Sequence, residues 1–246
     1  MDSRWLPIVL APFMGSFLGV LVTRLPAGRP IAWVRSACDG CGRRLTAADL
    51  VPILSYVALR GRCRSCGAPI ERLHLWIELA ALAVAVSAAT TAQDAAALWA
   101  DCVLGWGLLA LAWIDARTMI LPDALTLPLI PAGLAATAWL DQTALVEHAI
   151  GAISGYAAFQ AIAMLYRRIR GREGLGGGDA KLLAVAGAWL GLSALPWVVL
   201  LAATFGLTIA AVMRYRGHAV DATTVLPFGP FLVLAIWVVR IGQIPG

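Results

Sequence analysis

The sequence predicts an all-α polytopic membrane protein, with about eight transmembrane helices and a small zinc-knuckle cytoplasmic loop domain. Three observations predict it. Of 246 residues, 61% are apolar and 13% charged, and the mean hydropathy is +0.82. A soluble domain carries roughly a quarter charged residues, and one soluble core cannot hide this much apolar surface. The basic residues gather in alternate loops, and two Cys-x-x-Cys pairs share one of those loops. The same figures exclude a disordered chain and a secreted disulfide scaffold. The useful count is therefore spans of about 20 residues rather than soluble domains.

Taken in order, the apolar segments run near 5–23, 73–92, 96–114, 122–140, 144–165, 180–193, 195–213 and 225–243. None alternates as a barrel strand does, so all are read as helices. The first is followed, not preceded, by its main positive charges, and no small-residue cleavage site follows it. It reads as a retained anchor rather than a signal peptide. The sixth is short and follows glycines, so a tilted or broken helix is expected there. This divides the chain into a first helix (1–23), a loop domain (24–72) and a seven-helix part (73–246).

Orientation follows from the basic residues. Arg24, Arg29, Arg35, Arg43, Arg44, Arg60, Arg62, Arg64 and Arg72 lie between the first two spans. Arg117 lies in the next loop of the same side, then Arg167, Arg168, Arg170 and Arg172 with Lys181, then Arg214 and Arg216. Arg4 and Arg240 remain on the other side, so 17 of the 19 basic residues mark one face as cytoplasmic. Both termini then face the periplasm or cell exterior, as expected of a multi-pass protein of the bacterial inner membrane. The net charge of +5 belongs to these loops, which also meet anionic membrane lipid head groups, and needs no nucleic acid partner.

The loop domain holds Cys38-Asp-Gly-Cys41 and Cys63-Arg-Ser-Cys66. Each pair presents two sulfurs to one tetrahedral ion, and four thiolates close the shell, which makes a zinc there structural. The alternative is redox pairs or idle thiols. Gly40, Gly42 and Gly67 suit the tight turns of such knuckles, and a loop with little apolar core needs a staple. Cys102, inside the third span, reads as a small buried apolar residue.

Ionisable residues in or at the membrane are functional candidates by default. Asp115 ends the third span, where the helix dipole disfavours an acid. It is either functional or an interfacial charge paired with Arg117. Asp179 opens the sixth span after Gly176-Gly177-Gly178. An N-cap role competes there, but three glycines permit a close approach that a cap does not require. Asp115 ends an inward-going helix and Asp179 begins an outward-going one, so the two can meet near one face. Close carboxylates share a proton, and such a dyad can activate water and protonate a leaving amine. Asp123, which begins the fourth span, reads as an N-cap. Glu78 lies about a turn inside the second span. Asp101 and Glu147 read as interfacial charges, and the ten Trp as interfacial belts. His74, His148 and His218 lack metal spacing, and no GxSxG, HExxH or Walker pattern appears.

In sequence order these residues resemble the type IV prepilin peptidases (leader peptidase and N-methyltransferase), membrane aspartic proteases of the GxGD class. The resemblance rests on Gly15-Ser16-Phe17-Leu18, the two knuckles around Leu50-Val-Pro52-Ile-Leu-Ser55-Tyr56, Ile114-Asp115 and Leu121-Pro122-Asp123. It extends to Gly176-Gly177-Gly178-Asp179-Ala-Lys181 and Pro227-Phe228-Gly229-Pro230-Phe231. Position 19 is Gly where the family commonly has Asn, and His74-Leu75-Trp76 replaces its usual Tyr-Pro pattern before Glu78. The resemblance implies Asp115 and Asp179 as the catalytic pair, with Gly176, Gly178, Asp123 and Lys181 in the supporting motifs. It implies a prepilin or pseudopilin substrate, cut at the cytoplasmic face after a Gly. It further implies methylation of the new amino terminus from S-adenosylmethionine, an activity the family associates with the zinc-knuckled loop. Gly61 is a candidate close-approach position for that cofactor, and Glu71, Glu78 and Glu173 for a basic leader. Two other classes stay open on the residues alone: a proton-coupled transporter using Asp115, Asp179 and Glu78, and a zinc-knuckle scaffold of a pilus or secretion assembly.

Overall fold

The computed structural model describes residues 5–31, 36–171, 174–217 and 226–243. Arg4, Arg35, Arg172, Glu173 and His218 lie outside them. Among the described residues each of the eight apolar segments contains an α-helix, and a ninth, short one lies in the loop. The order is α1 (Leu6–Arg24), α2 (Leu54–Ala58), α3 (Arg72–Thr91), α4 (Ala95–Thr118), α5 (Asp123–Leu140), α6 (Leu145–Arg170), α7 (Gly177–Leu190), α8 (Leu195–Tyr215) and α9 (Gly229–Gly242).

Six of these, α1, α3, α4, α5, α6 and α8, are long and apolar enough to cross a bilayer. α7 and α9 have 14 residues each, about 21 Å of helix against a hydrocarbon core of about 30 Å. The sixth helix is thus short, as expected, but it starts three residues early because the glycines after Gly176 join it. It stops at Gly191, whose φ of 87° ends it. The eighth is shorter than its apolar run, because Pro227 and Phe228 stay outside it and Pro230 stands in its first turn.

The chain forms two compact units, Met1–Ala110 and Leu111–Gly246, with α4 running through the division. In the first, α1 packs on α3. Contact is close because Gly15 lacks a side chain: a Cβ there would lie 2.5 Å from the Glu78 Cα. Trp106 of α4 is buried and donates its indole N–H to the Ala81 carbonyl of α3 at 3.1 Å. α4 itself starts at an Asp94 cap, whose carboxylate accepts the Ala97 N–H at 2.8 Å.

In the second unit α7 is the central helix. It packs chiefly on α6 and also on α5, α9 and α8, and its residues from Asp179 to Trp189 are buried apart from Lys181. Burial from every side explains why its sequence shows no polar stripe. The α6–α7 contact is backbone on backbone: a Cβ on Gly187 would lie 2.2 Å from the Gly151 carbonyl. Trp189 donates its indole N–H to the Leu129 carbonyl of α5 at 2.8 Å. Trp106 and Trp189 are therefore core bolts, not belt residues, because each buried N–H finds a carbonyl. Trp76 and Trp139 are exposed, as belts require. At the far end of α7, Glu147 accepts from the Ser193 hydroxyl at 2.6 Å. His148 lies between the Thr137 hydroxyl and the Ala188 carbonyl. Asp101 is buried rather than an exposed interfacial charge.

Candidate active site

Asp115 sits one turn before the end of α4, and Asp179 is the third residue of α7. Both belong to the second unit and both are buried, at 6% and 8% exposure. They lie within electrostatic reach of each other. Gly229, the first residue of α9, donates its backbone N–H to Asp115 Oδ2 at 3.0 Å. A Cβ on Gly229 would lie 2.6 Å from that oxygen, so no other residue type fits without displacing the carboxylate. This contact gives the Pro227–Phe231 motif a role that its sequence alone did not disclose.

The glycine motif divides by position. Gly176 is the N-cap of α7, with extended backbone, and accepts the Asp179 N–H at 3.1 Å. Asp179 is therefore not the N-cap; it lies a turn further in, with its carboxyl buried. A Cβ on Gly178 would lie 2.8 Å from the Leu121 Cβ, whereas Gly177 faces open space. Packing thus requires Gly178, and its partner is the Leu121-Pro122-Asp123 turn. Asp123 is not an N-cap either: Pro122 takes that place, and Asp123 pairs with Lys181 of α7. An acid in the first turn of α5 suits the dipole, and the pair ties α5 to the start of α7.

In the first unit the four thiol sulfurs of Cys38, Cys41, Cys63 and Cys66 lie within 4.8 Å of one another. A tetrahedron with metal–sulfur bonds of about 2.3 Å has edges of about 3.8 Å, and Cys38 and Cys66 Sγ are 3.8 Å apart. The residues fit zinc. The two knuckles share one bonding scheme. The Gly42 N–H bonds the Cys38 carbonyl at 2.8 Å, and the Gly67 N–H bonds the Cys63 carbonyl at 3.0 Å. Isolated bridges Ala37–Arg44 and Arg62–Pro69 close the two hairpins. Gly42 and Gly67 have φ of 68° and 70°, which side-chain-bearing residues rarely adopt.

Backbone N–H groups of Cys66 and Ser65 favour the Cys63 thiolate, bringing that thiol down to about 6. Cys66 is pushed up to about 11: the Ala68 amide favours its thiolate, but the Cys41 sulfur, burial and the Cys63 and Cys38 sulfurs together outweigh that amide.

Sequence reasoning missed Asp49. Its carboxylate accepts from the Thr46 hydroxyl at 2.8 Å and the Thr46 N–H at 3.1 Å. It also pairs with Arg43 beside the first knuckle and Arg64 inside the second. The Thr46 donors, followed by Arg64, hold its carboxyl down at about 2. The Thr-x-x-Asp spacing of a capping box was the available signal. Glu78 is buried and accepts the Ile53 N–H at 2.7 Å, so it is committed to the loop rather than free to meet a leader. His74 fills the space beside Gly19, where a Cβ would lie 2.8 Å from its Nδ1. The two departures from the resembled pattern therefore face each other.

A bundle of apolar helices with a buried carboxylate pair and an all-thiol metal knuckle defines a multi-pass membrane protein with a candidate acid–base centre. Residues 9–92 match the bacterial peptidase A24 N-terminal domain, and residues 102–211 match the type IV leader peptidase family. A prepilin leader peptidase/N-methyltransferase of Burkholderia pseudomallei (strain 1026b) is 44% identical over 250 residues, covering 92% of this chain and 81% of the relative. Proteins of the same name from Dickeya chrysanthemi and Aeromonas hydrophila are 38% and 36% identical. They cover 93% and 92% of this chain and 88% and 86% of their own lengths. The chain belongs to the type IV leader peptidase family. No solved structure matches it.

Proposed function

We propose that the chain is a membrane aspartic endopeptidase that removes the leader from prepilins or pseudopilins at the cytoplasmic face of the inner membrane, and then methylates the new amino terminus. Family membership and the relatives' shared name support the activity. The observation that carries the mechanism is the buried Asp115–Asp179 pair, with the Gly229 amide on one member.

Of two close carboxyls in a poorly hydrated site, one ionises more easily than the other. The ionised member takes a proton from water as its oxygen attacks the scissile carbonyl. The protonated member donates to the peptide nitrogen as the C–N bond breaks. A leader acid and a free amine leave, and the pair again holds one proton. Acting as a coupled unit, it titrates as a pair. The substrate's apolar helix stays in lipid while its leader reaches the helix ends that carry the aspartates. With 17 of 19 basic residues on that side, both termini face outward.

The functional division follows the loop: 1–23 anchors, 24–72 forms the zinc-stapled part, and 73–246 carries proteolysis. Cys38, Cys41, Cys63 and Cys66 would hold a zinc that cross-links the loop, and four thiolate ligands would make it structural rather than catalytic. S-adenosylmethionine would supply the methyl group of the N-methyltransferase activity that the relatives' name implies. Gly61 does not fit it, because the Tyr56 ring closes that position, 2.9 Å from where a Cβ would be.

The test is co-expression of a prepilin with Asp115→Asn or Asp179→Asn. Each lowers processing on a gel by about 10²–10⁴-fold, the contribution of a positioned acid or base, at normal protein level. Processing at the unaltered rate in either variant refutes the reading.

A further inference from the structure

The loop carries an apolar surface that it does not bury. Leu50, Val51, Leu54 and Val57 are 42%, 37%, 68% and 62% exposed, within nine residues of an otherwise polar, arginine-rich segment. The backbone N–H groups beneath Leu54 and Val57 are paired. Ile53 N–H bonds Glu78, Leu54 N–H bonds the Pro52 carbonyl, Ser55 N–H bonds Val51 and Val57 N–H bonds Ile53. The bond from Leu54 to Pro52 closes a γ-turn of the strained hand, with β-branched Ile53 at φ 61°, ψ −54°. Such a conformation persists where the surroundings over-determine it, and here Glu78 of α3 holds it.

Glu78 fixes the depth of this elbow. α3 has 20 residues, about 30 Å of helix, and is long and apolar enough to cross a bilayer. Glu78 lies six residues past its first, about 9 Å along the axis. The Ile53 backbone bonded to it is held at that level. Interfacial helices bury their apolar face about 5–10 Å into the head-group boundary, and backbone at that depth must be internally hydrogen-bonded. Arg60 and Arg62, just beyond the elbow, and Arg72, at the mouth of α3, are exposed and complement anionic head groups.

We propose that the Leu50–Ala58 elbow is seated in the membrane interface, with Leu54 and Val57 in the acyl boundary of anionic lipid and Glu78 as the latch that sets its depth. This rests on α3 crossing the membrane, not on the peptidase reading, and its test reads lipid contact rather than cleavage.

The experiment places photoreactive p-benzoylphenylalanine at Val57 of the full-length chain, and separately at exposed Arg44 as a water-facing reference. The protein is reconstituted in vesicles of phosphatidylethanolamine and phosphatidylglycerol with a prepilin present, illuminated and analysed by mass spectrometry. Phospholipid adducts at position 57 exceed those at 44 by about tenfold, as for a side chain in the acyl boundary against one in water. Adding Glu78→Ala lowers the adducts at 57 and leaves position 44 unchanged. Equal yields at the two positions overturn the proposal, as do adducts at 57 that join prepilin or a second copy of the chain in place of lipid.

Discussion

Replacing Gly229 by Ala tests the geometry of the carboxylate pair without touching either acid. The added Cβ would stand 2.6 Å from Asp115 Oδ2 and 3.0 Å from its Cγ. Ordinary contact needs about 3.4 Å or more, so the carboxylate or the start of α9 must yield by roughly 0.8 Å. The oxygen that is pushed is the one the Gly229 N–H holds at 3.0 Å, so the displacement also opens that bond. A misplacement of about 1 Å at reacting groups costs on the order of 10²-fold in rate, about 2.7 kcal/mol on the barrier. The assay is the initial rate of prepilin cleavage by purified protein in detergent. Gly206→Ala is the reference, since its Cβ would meet Phe231 at an unstrained 3.4 Å. We expect Gly229→Ala to fall by about 10²-fold while Gly206→Ala stays near the unaltered rate. A Gly229→Ala enzyme that cleaves at full speed would show that the Gly229 amide does not position a reacting carboxylate, and an equal loss in both variants would reduce the effect to general destabilisation.

Two further outcomes follow from other contacts. In metal-stripped protein at neutral pH, Cys63, with its thiol at about 6, is mostly thiolate, whereas Cys66 at about 11 is not; timed alkylation and peptide mapping should therefore modify Cys63 ahead of Cys66, and the reverse order refutes the assignment. Gly187→Ala forces a methyl into the Gly151 backbone at 2.2 Å, and overpacking of this kind destabilises by about 1–3 kcal/mol; a thermal melt in detergent unchanged from the parent would mean that α6 and α7 part without cost.

Much of the architecture could be read from apolar runs, because in lipid each run must become a hydrogen-bonded helix. The knuckles were equally legible, since Cys-x-x-Cys spacing is itself ligand geometry. The pairing of Asp115 with Asp179 could be anticipated from helix direction, both acids lying at ends that face one way. Gly229 could not be placed on Asp115, 114 positions earlier, because a backbone amide leaves no mark in residue type. Asp123 reads as a cap from sequence for a related reason, and a cap role competes for Asp179 as well. Asp is a good cap by chemistry, and whether Pro122 or Gly176 takes the position instead depends on backbone angles. Trp106 and Trp189 read as belt residues from sequence because an indole suits an interface and a satisfied core equally well, and the carbonyl that decides between them lies on another helix.

The shortness of α7 has a consequence for how water reaches the site. A 14-residue helix falls about 9 Å short of a typical hydrocarbon slab, and Asp179 stands in its first turn. α5, α6, α8 and α9 pack around α7, so neighbouring protein rather than thinned lipid takes up the mismatch. Asp179 is nonetheless only two residues from the start of the helix, about 3 Å along its axis. On the proposed reading hydrolysis consumes one water per cut, and an acid walled in by neighbours yet this near a helix end needs only a short path for it.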